Sequence, residues 1–363
     1  MSSIPIHTTT FRGLGEVTIR ELSATFGSDA SVIERHRVRD SDVTRLSFSG
    51  QVRDLYGLGT VEDLFYTLGV VPLTGKKDDL RALEQVAESG GVTRALHHTQ
   101  RPSAKGRTTF RAVVQASDAE WRHYRRGEMQ KAVERGIGGC FKKWRRVDDD
   151  ARLEFWVQQA ERTALVGLRL TDRTMRHRGY KVANMPASLR PTVARAMVLL
   201  AGVDAGDVVV DPTCGVGTVL IERALAGRYG AVLGGDIGEE AVRGAVENFG
   251  RRHRPRGICQ WDATALPVRS GSADRIVCNL PWGRQVGSKD ELEPLYTGVL
   301  REGRRILKPR GRAVFLTSEF GPFKRALDSA GGWWVREQLR DVRVLGRRAD
   351  IFVVEPEEES RWR

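Results

Sequence analysis

Apolar positions in the C-terminal half fall into short runs separated by stretches of helical spacing. Val208-Val209-Val210 predicts a buried strand that ends in Asp211-Pro212-Thr213-Cys214-Gly215-Val216-Gly217-Thr218 and passes into a helix over Val219 to Ala226. Ala231 to Gly235 predicts a second strand, closed by Asp236, with a helix beginning near Glu239. A third short apolar piece precedes Gln260-Trp261-Asp262-Ala263, and a fourth strand, Ala273 to Cys278, leads into Asn279-Leu280-Pro281-Trp282-Gly283. Glu291 to Leu307 has helical spacing up to the stop signal Lys308-Pro309-Arg310-Gly311. Arg312 to Thr317 then predicts a fifth strand, Phe320 to Ser329 a helix, and Trp333 to Gln338 with Ile351 to Glu355 the last two strands. Such alternation is what an α/β fold with a doubly wound, mainly parallel sheet requires.

The first half reads as a smaller α+β pattern. Strand-like runs at Ile6 to Thr10, Ser31 to Val38 and Val43 to Ser49 flank a helix from Glu16 to Phe26, an arrangement that can form a ferredoxin-like unit. A short helix is expected between Thr60 and Leu68. Asp78 to Ser89 is amphipathic, with Leu80, Leu83, Val86 and Ala87 on one face. Thr108 to Gln115 alternates like a strand, Glu128 to Gly136 is helical, and Leu153 to Gln159 and Ala164 to Leu170 read as paired strands. The connection from Asp172 to Arg190 carries Arg176-His177-Arg178-Gly179-Tyr180 and Met185-Pro186-Ala187-Ser188-Leu189-Arg190, and Pro191 opens the helix Thr192 to Ala201.

A chain of 363 residues suits two or three domains, and 29% charged against 40% hydrophobic residues is a globular balance. The 59 basic and 46 acidic residues give a net charge of +13, so a polyanionic partner is the natural inference, although composition alone can also raise the charge. Arg122-His123-Tyr124-Arg125-Arg126 and Lys142-Lys143-Trp144-Arg145-Arg146 concentrate that charge, with a solvated helix face as the plainer explanation of either. The four cysteines, Cys140, Cys214, Cys259 and Cys278, show no paired spacing, so neither structural zinc nor a disulfide framework is expected. No metal is needed by the chemistry below. With no leader-like start and no membrane-length apolar run, the expectation is a cytoplasmic protein without a membrane partner; the sequence leaves the oligomeric state open, with a monomer favoured.

Candidate chemistry gathers at the ends of the four C-terminal strands. Glycines in the Cys214–Gly217 turn allow close approach of a ligand, yet Leu220 stands where a dinucleotide fingerprint has its third glycine. Asp236 can accept two ribose hydroxyls, and Asp262 an adenine amino group; either one alone is equally well explained as a helix cap or loop residue. Asn279-Leu280-Pro281-Trp282 is the most specific motif. An exocyclic amine on a base is a poor nucleophile, and the Asn279 side-chain oxygen with the Leu280 carbonyl can accept from it and aim its lone pair at an electrophilic methyl. Pro281 restricts the turn and Trp282 offers a stacking face. A proline turn over a core tryptophan would account for Pro281 and Trp282 without explaining Asn279.

The stretch Asp211 to Gly287 resembles class I S-adenosylmethionine-dependent methyltransferases that act on amino groups, whose motif is Asn or Asp, any residue, Pro and an aromatic. Leu280 replaces the proline frequent at the second position, where a backbone carbonyl does the work. The first half, through Thr9-Thr10-Phe11-Arg12-Gly13-Leu14, Glu21-Leu22, Leu153-Glu154-Phe155-Trp156-Val157 and Leu165-Val166-Gly167-Leu168, is more loosely similar to the ferredoxin-like and THUMP domains preceding certain tRNA guanine-N2 methyltransferases. The resemblance implies a ferredoxin-like domain over 1–59, a THUMP-like RNA-binding domain over 60–170, a linker over 171–190, a Rossmann-like methyltransferase domain over 191–356 and an acidic tail over 357–363. It further implies S-adenosylmethionine as cofactor, held by Asp211, Thr213, Cys214, Gly215, Gly217, Thr218, Asp236, Ile237, Asp262, Ala263 and Asn279, and tRNA as partner, methylated on guanine N2 near the acceptor stem. Catalysis falls to Asn279, Leu280, Pro281 and Trp282. Arg178 and Arg190 are candidates for substrate phosphate or cofactor, and equally for structural roles. Other targets of the same chemistry, adenine N6 in DNA or RNA and guanine N2 in ribosomal RNA, stay open, as does a non-catalytic RNA-binding protein.

Overall fold

The structure is a computed structural model that describes residues 3–88, 90–99, 107–116, 123–172, 174–186, 188–283, 291–344 and 346–357. Ser89, Arg122, Ala187, Gly287, Glu358 and Glu359, which the sequence reading touched, lie outside the described residues. The chain forms two compact units that divide after Arg176.

In the N-terminal unit the strands β1 (Ile4–Phe11), β2 (Ala30–Val38), β3 (Ser41–Phe48), β4 (Asp63–Pro72), β5 (Thr109–Ala116), β6 (Arg145–Arg146), β7 (Leu153–Ala160) and β8 (Thr163–Arg169) join one sheet in the order β2-β3-β1-β4-β8-β7-β5-β6. Helices α1 (Gly15–Phe26), α2 (Asp78–Glu88), α3 (Gly91–Leu96) and α4 (Arg126–Cys140) supply further apolar side chains to the unit. Leu22, Leu83, Ala87 and Met129 bury themselves in one core with Leu46, Phe110 and Phe155. The expected helix between Thr60 and Leu68 is instead strand β4. Val61, just before the strand, and its own Leu64, Phe65 and Leu68 sit at helical spacing, but Leu64 and Phe65 are both fully buried, so the strand is covered on two faces and its sequence lacks the alternation that marks a half-buried strand.

In the C-terminal unit, strands β9 (Val208–Asp211), β10 (Ala231–Asp236), β11 (Arg256–Gln260), β12 (Ala273–Asn279), β13 (Leu307–Thr317), β14 (Trp333–Val344) and β15 (Arg347–Pro356) form a second sheet in the order β11-β10-β9-β12-β13-β15-β14. The first five of that order pair in parallel, while β15 runs antiparallel between β13 and β14. Helices α5 (Pro191–Ala201), α6 (Thr218–Ala226), α7 (Glu239–Phe249), α8 (Leu292–Ile306) and α9 (Phe320–Ala330) alternate with the strands. This is the α/β, doubly wound, Rossmann-like architecture of methyltransferases. Strand β13 begins at Leu307, so Lys308-Pro309-Arg310-Gly311 ends α8 and is absorbed into an irregular strand start, where the β12–β13 register shifts between Ala273 and Arg275. Because the order reverses at β9, with β10 on one side and β12 on the other, a crevice opens beyond the carboxyl ends of these strands. Among the described residues no helix is long and apolar enough to cross a membrane.

Candidate active site

Strand β9 is buried up to Asp211, whose carboxyl is 1% exposed. Burial, reinforced by the charge of Asp236, pushes that carboxyl well above the usual carboxylate range, although the Thr213 amide opposes the shift. The chain then turns: Cys214 N–H donates to the Gly235 carbonyl at 2.9 Å, and Gly217 N–H to the Cys214 carbonyl at 2.8 Å. Gly215 and Gly217 hold φ of +52° and +79°, a region that side chains with a Cβ resist, so the turn needs glycine at both positions. Helix α6 starts at once after it, and the Gly215 N–H donates to Asp236 Oδ2 at 3.0 Å. Asp236 Oδ1 accepts from Gly238 N–H at 3.0 Å, so its carboxylate is fixed at the tip of β10 while each oxygen keeps lone-pair capacity for a ligand.

Asn248 of α7 secures the same turn. Its amide donates to the Val216 carbonyl at 2.9 Å and the Ala183 carbonyl at 3.0 Å, and it accepts from Ala183 N–H at 2.8 Å. The polypeptide after Ala183 thereby borders a cavity of about 440 Å³ lined by Met185, Ser188 and Leu189 together with Asp211, Thr213, Cys214, Gly215, Thr218, Asp236 and Asn279. Sequence reasoning read Met185 and Ser188 as part of the linker and did not single out Asn248; the signal available was the Pro186-x-x-Leu-Arg-Pro pattern. Three polar atoms of the lining, Asn279 Oδ1, Ser188 Oγ and Thr218 Oγ1, are buried without a hydrogen-bond partner among the described residues. An unpaired buried polar group costs about 1–3 kcal/mol, so three residues of this lining carry hydrogen-bonding capacity that the described residues do not use.

Asn279 ends β12 opposite Leu316 of β13, and Leu280 N–H donates to the Leu316 carbonyl at 3.0 Å. Leu280 is 1% exposed and packs into the core, which leaves its backbone as the functional part. The buried Tyr296 hydroxyl of α8 donates to the Pro281 carbonyl and lies 3.2 Å from Thr317 Oγ1, locking the motif to the end of β13. Burial pushes the Tyr296 phenol up to about 12, so it remains a donor throughout the neutral range. Trp282 is half-buried, its indole N–H has no partner among the described residues, and the Arg347 guanidinium covers one ring face at 5.6 Å.

Of the sequence-derived candidates, Asp211, Thr213, Cys214, Gly215, Thr218, Asp236 and Asn279 share the cavity. Gly217 sets the turn behind it, against Phe249 and Ala245. Ile237 is 64% exposed beside Asp236. Asp262 accepts from the Thr264 amide and hydroxyl on one oxygen, Oδ1, at 2.8 and 2.7 Å, which holds its carboxyl below the usual range; Ala263 is buried next to it. Arg178 does not face the cavity: its guanidinium lies 3.6 Å from Glu222, a fully buried carboxylate also bound by Arg195 at 3.0 Å and the Tyr180 hydroxyl at 2.9 Å. A buried charge demands such partners. Arg190 precedes α5, and its charge, after burial, helps bring the Lys181 ammonium down to about 8.

Residues 178–349 match the model of the UPF0020 family, the RMKL-like methyltransferase domain. The chain is similar, at 28% identity over 96% of its length and 99% of the relative, to the tRNA (guanine(6)-N2)-methyltransferase of Thermus thermophilus. It is 31% identical to the bovine (Bos taurus) tRNA (guanine(6)-N(2))-methyltransferase THUMP3 over 61% of this chain and 47% of that protein, so it spans about half the length of the mammalian relative. The crystal structure of TrmN from Thermus thermophilus superposes with a TM-score of 0.78 at 25% identity, covering 98% of this chain and all of that one. Every residue lining the cavity falls within 178–349, the part of the chain that matches the RMKL-like methyltransferase domain.

Proposed function

We propose that the chain transfers a methyl group from S-adenosylmethionine to the exocyclic N2 of guanosine in tRNA, at position 6 as the names of its relatives suggest. The observation that carries this reading is Asn279 Oδ1, a buried acceptor with no partner at the tip of β12 and on the wall of the cavity. An amine hydrogen is what such an atom lacks.

S-adenosylmethionine, when bound, supplies an electrophilic methyl on a sulfonium. The residues present fit it: Asp236 accepts from ribose hydroxyls, Ile237 offers an apolar face, Asp262 keeps Oδ2 for an amino group, and the Thr213–Thr218 turn lies against the remainder together with Asp211. Asn279 Oδ1 and the Leu280 carbonyl accept from the two amine hydrogens and direct the nitrogen lone pair. As the methyl leaves the sulfonium, whose bonding pair stays on sulfur, positive charge builds on that nitrogen; the same two oxygens stabilise it, and one amine proton then leaves to water. Holding the reacting atoms within about 3–3.5 Å provides most of the acceleration. Trp282 stacks on a base drawn out of its helix and offsets part of the unstacking cost, about 1–3 kcal/mol per stacked base. The N-terminal unit, THUMP-like in sequence, engages the RNA, in keeping with a net charge of +13.

Incubation with labelled S-adenosylmethionine and an unmodified tRNA transcript, digestion and mass spectrometry of the nucleosides tests the whole reading. N2-methylguanosine at position 6 is expected; N6-methyladenosine, or no methylated nucleoside while tRNA is bound, overturns it.

A further inference from the structure

Glu319 and Arg347 stand beside the Asn279–Trp282 motif and have no part in the roles assigned so far. Glu319 follows β13, whose residue Leu316 accepts from Leu280 N–H, and its own N–H donates to Thr317 Oγ1 at 3.0 Å. That hydroxyl lies 3.2 Å from the Tyr296 hydroxyl that holds Pro281. From the other side Arg347, at the start of β15, reaches the Glu319 carboxylate at 3.4 Å while its guanidinium covers the Trp282 ring. The carboxylate side chain is 16% exposed. Both of its hydrogen-bond contacts, from Ser318 at 3.0 Å and from Arg347, fall on Oε1. Oε2 has no hydrogen-bond partner among the described residues, so one oxygen of this carboxylate is open, and Arg347 and Thr317 tie the residue to the motif that would hold the amine.

The neighbours of an exocyclic amine differ between bases. In guanine the amine on C2 lies between N1–H, a donor, and N3, an acceptor. In adenine the amine on C6 is flanked by N1 and N7, both acceptors, and in cytosine by the acceptor N3. Only guanine presents a donor beside the amine, and only a donor can satisfy a carboxylate.

We propose that Glu319 is the specificity-determining residue of this site: Oε2 accepts from N1–H of the guanine whose N2 is held by Asn279, and Arg347 is the positioning residue that fixes both Glu319 and the Trp282 ring. A base with an acceptor at that place meets a desolvated carboxylate lone pair to lone pair and is rejected. This rests on the methyl-transfer reading above and adds to it the atom by which guanine is distinguished.

2-Aminopurine separates the two claims, because it keeps the exocyclic amine on C2 but carries an acceptor at N1. Methyl transfer would be measured on tRNA with guanosine or 2-aminopurine at position 6, using the full chain and Glu319→Gln, whose amide can donate to that N1. The unaltered protein should favour guanosine by about 100-fold in kcat/KM, and Glu319→Gln should narrow the preference below about 10-fold. Retained S-adenosylmethionine affinity and a cooperative melt show that the variant is folded. Equal use of both bases by the unaltered protein, which does not depend on any variant folding, overturns the inference, as does a folded Glu319→Gln that keeps the original preference; in both cases product from guanosine leaves the methyl-transfer reading standing. No product from guanosine in the unaltered protein overturns that reading and the inference with it.

Discussion

In the N-terminal unit Arg169 is 5% exposed between Asp63, at 2.6–2.8 Å, and Glu154, at 2.8 Å, and Glu154 is bound in turn by Arg111 at 2.6 Å. In the C-terminal unit Asn279 Oδ1, Ser188 Oγ and Thr218 Oγ1 are buried with no partner among the described residues, and the three residues line one cavity. Both regions remove polar groups from water, but the first pairs both of its carboxylates with arginine and the second leaves acceptors and hydroxyls open. Paired carboxylates of this kind are architecture, since their charge is already compensated. The N-terminal unit also supplies the control: His7 Nε2 and both polar atoms of the Gln158 amide lack well-formed partners, and both residues are fully buried in its sheet. Unpaired buried atoms alone are therefore weak evidence for a site, and they gain weight where the residues that carry them also line a cavity.

The largest effect expected is on the completed side. Arg169→Ala leaves Asp63 and Glu154 buried without their shared cation, and removing one partner of a buried ion pair typically costs about 3–5 kcal/mol. Chemical unfolding of the full chain should register that loss, and calorimetry should find S-adenosylmethionine affinity unaltered in whatever fraction is folded. A cost below about 1 kcal/mol would mean that water reaches the network.

On the open side, Asn279→Ala should lower kcat by about 100- to 1,000-fold, about 2.7–4 kcal/mol of transition-state stabilisation, with tRNA affinity nearly unchanged. It should cost almost nothing in melting temperature, because the oxygen it removes bonds to no described residue. A simultaneous loss of tRNA binding would show that Asn279 holds the RNA instead of the reacting amine.

Acid provides a smaller test of the control. Burial brings the His7 imidazole down to about 3, and its ring lies flat on Phe65 with centroids 4.7 Å apart. Because the folded value is below the unfolded one of about 6.5, its contribution is complete above that pH and is lost as the pH falls towards 3, by up to about 1.4 kcal/mol per unit. Glu154 acts in the same direction at lower pH: burial raises its carboxyl, but Arg169 and Arg111 outweigh that and hold it at about 2, so its share is lost only below the ordinary carboxylate range. Measured against the intrinsic exchange rate at each pH, the protection of β1 and β4 amides should fall between pH 6.5 and 5, and His7→Gln should flatten that dependence. An unchanged slope would assign the acid sensitivity to another group.

The alternation of strands and helices from Val208 to Glu355 was legible because parallel strands buried on both faces leave continuous apolar runs between glycine turns. The same property hid β4, where Leu64 and Phe65 are buried on opposite faces and imitate a helix. Asp211, Asp236 and Asn279 were legible because each terminates its strand, and strand ends in such a sheet point to one crevice. Ser188, Asn248, Tyr296, Glu319 and Arg347 were not, because they come from a connection, two helices and two later strand ends that only the folded chain brings near the motif. No spacing rule connects Glu319 to Trp282; the Arg347 side chain does.

Arg178 gives the smallest and most discriminating effect, since its sequence context allowed a ligand contact and the fold turns it to Glu222. That carboxylate keeps Arg195 at 3.0 Å and the Tyr180 hydroxyl at 2.9 Å when Arg178 is removed, so one charge on it remains compensated. The 3.6 Å contact of Arg178 is longer than either, and loss of a partly redundant partner should cost about 1 kcal/mol. Arg178→Gln is thus expected to lower the melting temperature by a few degrees, about what 1 kcal/mol represents in a domain of this size, with kcat and the KM values for tRNA and S-adenosylmethionine within about two-fold of the original. A ten-fold rise in either KM without loss of stability would return Arg178 to the ligand-binding residues and would place Glu222 there as its anchor.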